Sequence, residues 1–245
     1  MTMASDHTGS RIALLDVART GSLVTMAIYH TVFILEMFGY VAPMTATTGP
    51  WALFARAVAS SFLILVGIGL WLAHRDGIRW RKVAWRTAQV GGAAALVSVA
   101  TWFAYGDLVI WFGILHCIAL ASLVGLAVVR WPAWMLIVLA AVVFALPRLV
   151  RFDVLSGTWT YWLGLGTAPV RAADFLPVFP WFAPVLLGIA IAKVMSSQGL
   201  WLRLGAISSP VIWRLGAPGR HSLIIYLVHI PIIFAIVWTV ATLTR

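Results

Sequence analysis

The sequence predicts an all-α fold: a polytopic membrane helical bundle of about seven transmembrane helices, N-terminus inside and C-terminus outside. Three observations predict it. Of the 245 residues, 62% are hydrophobic and 10% charged, and the mean hydropathy is +1.00; soluble chains carry about 25% charge. The apolar residues fall in successive runs of around twenty, the length that crosses a bilayer as a helix. Backbone groups in hydrocarbon must bond within their own segment, so the runs form helices, and the short alternating segments of a membrane barrel are absent.

The spans fall at 12–38, 51–73, 83–104, 108–129, 133–148, 178–195 and 221–242. Residues 1–10 read as a polar tail. Asp16 and Arg19 interrupt any signal-peptide core, and no small-residue cleavage site follows them. The fifth span is short and boxed by Pro132 and Pro147. Arg75, Arg79, Arg81, Lys82 and Arg86 crowd the link between spans two and three, whereas the links at 38–50 and 104–108 hold no Lys or Arg. An inside N-terminus puts eleven cations on the inner side and four outside, namely Arg148, Arg151, Arg171 and Arg245. That asymmetry follows the positive-inside rule. The link 149–177, rich in Trp, Gly and Pro, is expected to be a folded outer cap, and 196–220 a cytoplasmic amphipathic segment at the interface. No internal repeat is visible, which argues against an inverted-repeat transporter. Residues 11–245 are therefore expected to form one transmembrane domain.

The first span carries three ionisable residues, Asp16, Arg19 and His30. At 3.6 residues per turn they project within about 60° of one another. Each costs roughly 2.5–3.5 kcal/mol to insert, so they must face protein or water. Asp16 and Arg19, three apart, can simply pair; His30 lies about three turns deeper with no charged neighbour. His116 in the fourth span and His229 in the seventh each lie eight residues into their predicted helix, about 12 Å at 1.5 Å per residue. Ser222, Tyr226 and His229 share one helical face. Any one of these histidines could serve only as a hydrogen-bonding group within the bundle, but three converging on the interior point to a site. His7 and His74 read as solvated.

Other chemistries fit poorly. A retinal pigment needs a mid-helix lysine, and Lys82 and Lys193 lie at the cytoplasmic edge. No histidine pair is spaced to stack two haems, and no span offers a metal-ligand pair, so neither haem nor metal is expected. GLGTAP in the cap lacks the Lys and the helix of a phosphate loop. The lone Cys117 excludes an intrachain disulfide. The net charge of +10 is a topology signal and does not imply nucleic acid. The basic cluster can serve topology and anionic lipid headgroups, or some of its arginines can receive the phosphates of a cytoplasmic donor. The excess of arginine over lysine hints at a bacterial genome, hence an inner (plasma) membrane.

Several stretches together resemble the heparan-α-glucosaminide N-acetyltransferase catalytic-domain family of membrane acyltransferases. They are RIALLDVAR and MAIYH in the first span, GIGL in the second and FGILHCIAL in the fourth, then AADFLPVFPWFAPVLLGIA and GRHSLIIYLVHIP. The resemblance implies transfer of an acetyl or other acyl group from a cytosolic acyl-CoA, typically acetyl-CoA, to a sugar amine or hydroxyl across the membrane through an intramembrane histidine. On this chain it makes His30 the acyl-accepting group or base, supported by His116, His229, Asp16 and Arg19. Asp174, Trp181, Ser222 and Tyr226 become acceptor-binding residues, and Arg79, Lys82, Arg86 and Arg220 donor-binding ones. Membrane lipids, the acyl-CoA, a glycan or other acceptor, and a homo-oligomer or larger membrane complex are the expected partners. The chain departs from the family pattern at Thr20, where Gly is common, at Ile34, where an acidic residue is frequent, and at Ile230, usually Gln. A non-catalytic membrane subunit on the same fold is the alternative, ahead of a small-anion or proton transporter.

Overall fold

The computed structural model describes residues 11–207 and 209–244; the tail 1–10 with His7, together with Arg245, lies outside the described residues. Among those described, every regular element is helical. In chain order they are α1 (Ala13–Met37), α2 (Gly49–His74), α3 (Trp80–Tyr105), α4 (Ile114–Val128) and α5 (Ala133–Leu149), then α6 (Val178–Ser197), α7 (Leu200–Ala206), α8 (Pro210–Leu215), α9 (Ala217–Arg220) and α10 (Ser222–Thr244). Helices α1, α2, α3, α6 and α10 are long and apolar enough to cross a membrane, while α4 and α5 are shorter apolar helices.

The fourth predicted span starts later than the sequence suggests, at Ile114 instead of 108. Gly106, at φ +53, ends α3. Side chains of α3 then capture the backbone of Ile110: its N–H bonds Thr101 Oγ1 at 3.1 Å, and its carbonyl receives Ser98 Oγ at 2.5 Å. These two bonds tie Ile110 to α3 in the link ahead of α4.

The described helices form two compact units, one from residues before 46 and after 194, the other from 46–194. In the first, α1 packs against α8, α9 and α10. The approach to α9 is close: a Cβ on Gly219 would collide with the carbonyl oxygen of Asp16, and one on Gly216 would sit 3.0 Å from the Asp16 Cβ. Thr20 bridges the contact. Its hydroxyl donates to the Asp16 carbonyl at 3.1 Å and accepts from the Gly219 N–H at 2.9 Å. A glycine at this position could do neither.

In the second unit, α6 runs through the core, with Val185, Leu186, Ile189 and Ala192 fully enclosed. It meets α2 backbone to backbone, because a Cβ on Gly67 would meet the Val185 carbonyl and one on Gly188 the Ile64 carbonyl. Small residues permit such close approach where lipid offers no hydrophobic driving force. The link between α5 and α6 is a folded cap: Phe152 N–H bonds the Leu165 carbonyl at 2.8 Å, and Ser156 Oγ receives the N–H groups of Thr167 and Ala168. The segment 196–220 carries the three short helices α7 to α9.

Candidate active site

The first unit brings together two of the three candidate histidines. His30 projects from the middle of α1 and His229 from the second turn of α10; their rings lie 4.8 Å apart, edge to face, with His30 Nδ1 3.1 Å from His229 Nε2. His229 is 6% exposed. Its other nitrogen, Nδ1, lies 2.5 Å from the Tyr226 carbonyl. A carbonyl only accepts, so His229 Nδ1 carries the proton, and in the neutral ring Nε2 is an acceptor. His30 Nδ1 faces that acceptor and also the Met26 carbonyl at 3.0 Å, so it too must carry the proton. These hydrogen-bond partners assign the tautomers. The consequence is that His30 Nε2 holds an unprotonated lone pair, the form that acts as base or nucleophile.

Below the histidines on α1, Asp16 is 1% exposed and carries two arginines, Arg11 Nε and Arg19 Nη1, each at 2.7 Å. The Asp16–Arg19 pair expected from the sequence is present. Arg11 is an addition that helical spacing could not reveal, since it precedes α1. Tyr226 places its ring 5.5 Å from His229 on α10, and Tyr29 its ring 5.2 Å from His30. Ser222 is the first residue of α10. Arg220 donates to the Trp213 carbonyl at 2.9 Å and lies over that indole. The Glu36 carboxylate, near the C-terminal end of α1, accepts from the Met44 N–H at 2.6 Å.

His116 belongs to the second unit, and its predicted depth is corrected. It is the third residue of α4, not the ninth of a helix begun at 108. Its Nδ1 accepts from the Gly113 N–H at 3.3 Å, so Nε2 carries the proton and donates to Ser98 Oγ at 3.3 Å, which passes the chain on to the Ile110 carbonyl. Both ring nitrogens are engaged in starting α4. Asp174 contributes to the same helix start, where its Oδ2 accepts from the Ile114 N–H at 2.9 Å. Together the two residues satisfy donors that a helix start leaves orphaned. Trp181 lies half-buried in the first turn of α6.

Asp174 lies in the cap before α6, and burial pushes its carboxyl up to about 6 against the pull of the Ile114 N–H. The folded protein therefore holds a proton that the unfolded chain releases near 3.8. Stability from this group is complete below that value and is lost as pH rises through about 6. Asn at 174 keeps an acceptor for Ile114 and has no charge to bury. The melting temperature of the wild type should fall between about pH 5 and about pH 7.5 by more than that of Asp174→Asn; parallel profiles would show a solvated carboxylate.

Of the basic cluster, Lys82 and Arg86, with Arg81, line a groove of about 1020 Å³ on the second unit. Arg79 instead turns back to the Ala73 carbonyl at 2.8 Å. His74, expected to be solvated, is 6% exposed and lines the same groove. Sequence alone does not mark Arg11, Thr20 or Ser98 as parts of these arrangements.

The family model described as heparan-alpha-glucosaminide N-acetyltransferase, catalytic, matches residues 11–231. No curated protein and no solved structure matches the chain. The match runs from the Asp16 pair through both histidines of the first unit, and the chain belongs to the heparan-alpha-glucosaminide N-acetyltransferase catalytic family.

Proposed function

We propose that this protein is an integral membrane acyltransferase that moves an acetyl or other acyl group from an acyl-CoA on the cytoplasmic side to a sugar amine or hydroxyl at the outer face, through His30. The observation that carries the reading is the hydrogen-bonded His30–His229 pair, which leaves His30 Nε2 unprotonated. The Nε2 lone pair forms a bond to the thioester carbonyl carbon, the carbon–sulfur bond breaks, and CoA leaves as the thiolate. Acylation acidifies the Nδ1 proton, which passes across the 3.1 Å contact to His229 Nε2. Attack by the acceptor amine expels the imidazole, His229 returns the proton to Nδ1, and the amine's proton ends on the thiolate. Between the two halves the pair holds one positive charge, on the His229 imidazolium, which is discharged when the proton returns to His30.

Arg220, at the end of α9 in the same unit as His30, is the proposed cation for the donor's phosphates, since its planar fork suits them. Ser222 and Tyr226 line the approach to His229 along α10, and residues 11–245 act as one acyltransferase domain. With seven crossings, including the shorter α4 and α5, the termini lie on opposite sides of an inner membrane, and the cation asymmetry assigns the N-terminus to the cytoplasm and the C-terminus to the outside. A reporter fused after Arg245 should then read outside, and one inserted within 75–82 should read cytoplasm; the opposite result at either position would reverse the side from which the donor enters. The activity itself is tested by incubating purified protein with radiolabelled acetyl-CoA and glucosamine. Labelled N-acetylglucosamine is expected. Donor binding with no transfer to any amine or hydroxyl would favour the non-catalytic subunit.

A further inference from the structure

The groove on the second unit is amphipathic along its length. At one end stand Arg81 and Lys82, both exposed in the first turn of α3, with Arg86 one turn further. Lys82, Arg86 and Val90 follow one another at four-residue spacing, so the groove runs about 12 Å along α3 at 1.5 Å per residue. From the cations inward the lining is mostly apolar, through Leu70, Val83, Val90, Ala119 and Leu126, with Thr87, Gln89 and Ser122 as its uncharged polar members. Among the described residues no carboxylate lines it, and the nearby Asp76 pairs with its own neighbour Arg75 at 3.4 Å. Trp80 and Trp85 stand at the cationic end, each 67% exposed. Exposed indoles settle at the level of the lipid headgroups.

We propose that this groove is a binding site for an anionic phospholipid, with the headgroup phosphate against Arg81 and Lys82 and an acyl chain along the apolar floor. Charge complementarity selects an anion. Tryptophans at the cationic end place that end at the membrane surface, where lipid phosphates lie. The apolar floor selects a phosphate that carries a hydrocarbon chain. Basic pockets between membrane helices hold anionic headgroups by this combination. A CoA diphosphate shares the phosphate chemistry, but its polar nucleotide has no use for an apolar trough leading away from the cations. The site is separate from the proposed role of His30 and does not depend on it.

The test uses delipidated, detergent-purified full-length protein and native mass spectrometry. Added dioleoyl phosphatidylglycerol should bind about thirtyfold more tightly than dioleoyl phosphatidylcholine, the scale expected from two interfacial cations. The double variant Arg81→Gln with Lys82→Gln should bring phosphatidylglycerol down to the phosphatidylcholine level. The single variant Lys82→Glu should do the same if the double variant elutes poorly. Glycerol 3-phosphate, which has no chains, should not compete, and neither should CoA. Equal affinity for the two lipids, or unchanged phosphatidylglycerol binding in a folded variant, would overturn the proposal. So would displacement by CoA, which makes the groove a donor site, or by glycerol 3-phosphate, which makes it a free-phosphate site.

Discussion

His30→Ala is expected to abolish acyl transfer while leaving the protein folded. The ring is only half-buried, and its loss leaves the Met26 carbonyl without a side-chain donor but exposes no charge. Removing a group that itself attacks or deprotonates costs on the order of 10²–10⁴-fold at least. His229→Ala should lower the rate without eliminating it, because His229 acts on His30 and not on the substrate. His229→Gln, whose side-chain oxygen can accept from His30 Nδ1, should recover part of that loss, which mere cavity filling would not do. His116→Ala should instead lower stability, since its ring serves the start of α4. Full transfer by His30→Ala alongside lost transfer by folded His116→Ala would move the chemistry to the second unit.

The second large effect is expected at Asp16. Its carboxylate is enclosed, while Arg19 keeps 29% and Arg11 54% of its side chain exposed. Deleting one partner of a buried pair typically costs about 3–5 kcal/mol. Asp16→Ala belongs at the lower end, about 3 kcal/mol, because both arginines retain access to water. Asp16→Asn keeps the shape and an acceptor, and should cost less. Arg11→Ala should cost least of all, as Arg19 still holds the carboxylate. The monodisperse fraction in detergent and its melting temperature measure the series. If both Asp16 variants match wild type, the carboxylate faces water and the pairing is wrong.

Much of the first unit could be read from the sequence because helical spacing alone determines which side chains share a face. Asp16, Arg19 and His30 fall on one stripe of α1, and His229 sits one turn beyond Tyr226. What spacing cannot show is a backbone captured by distant side chains. Ser98 and Thr101 take the donor and acceptor of Ile110 and delay α4, so His116 moves from the apparent middle of a span to its first turn. Arg11 escapes a periodicity argument because it lies outside the helix that carries its partner. Thr20 stands out in the sequence only as a departure from the family pattern. In the structure it clamps α9 against α1 through Gly219. His74 reads as solvated because it lies at a helix end beside a charge cluster, but it is buried and its Nδ1 accepts from the Arg79 N–H at 3.4 Å. In each case the missing information is tertiary.

Acyl transfer through His30 is tested most directly by trapping the acyl group on the protein. Purified enzyme given radiolabelled acetyl-CoA and no acceptor should carry label on the peptide that contains His30. The label should be labile to hydroxylamine, discharge when glucosamine is added, and be absent from His30→Ala. Transfer to glucosamine at the wild-type rate with no label on that peptide, or label that persists in His30→Ala, would contradict an acyl-histidine intermediate at this position.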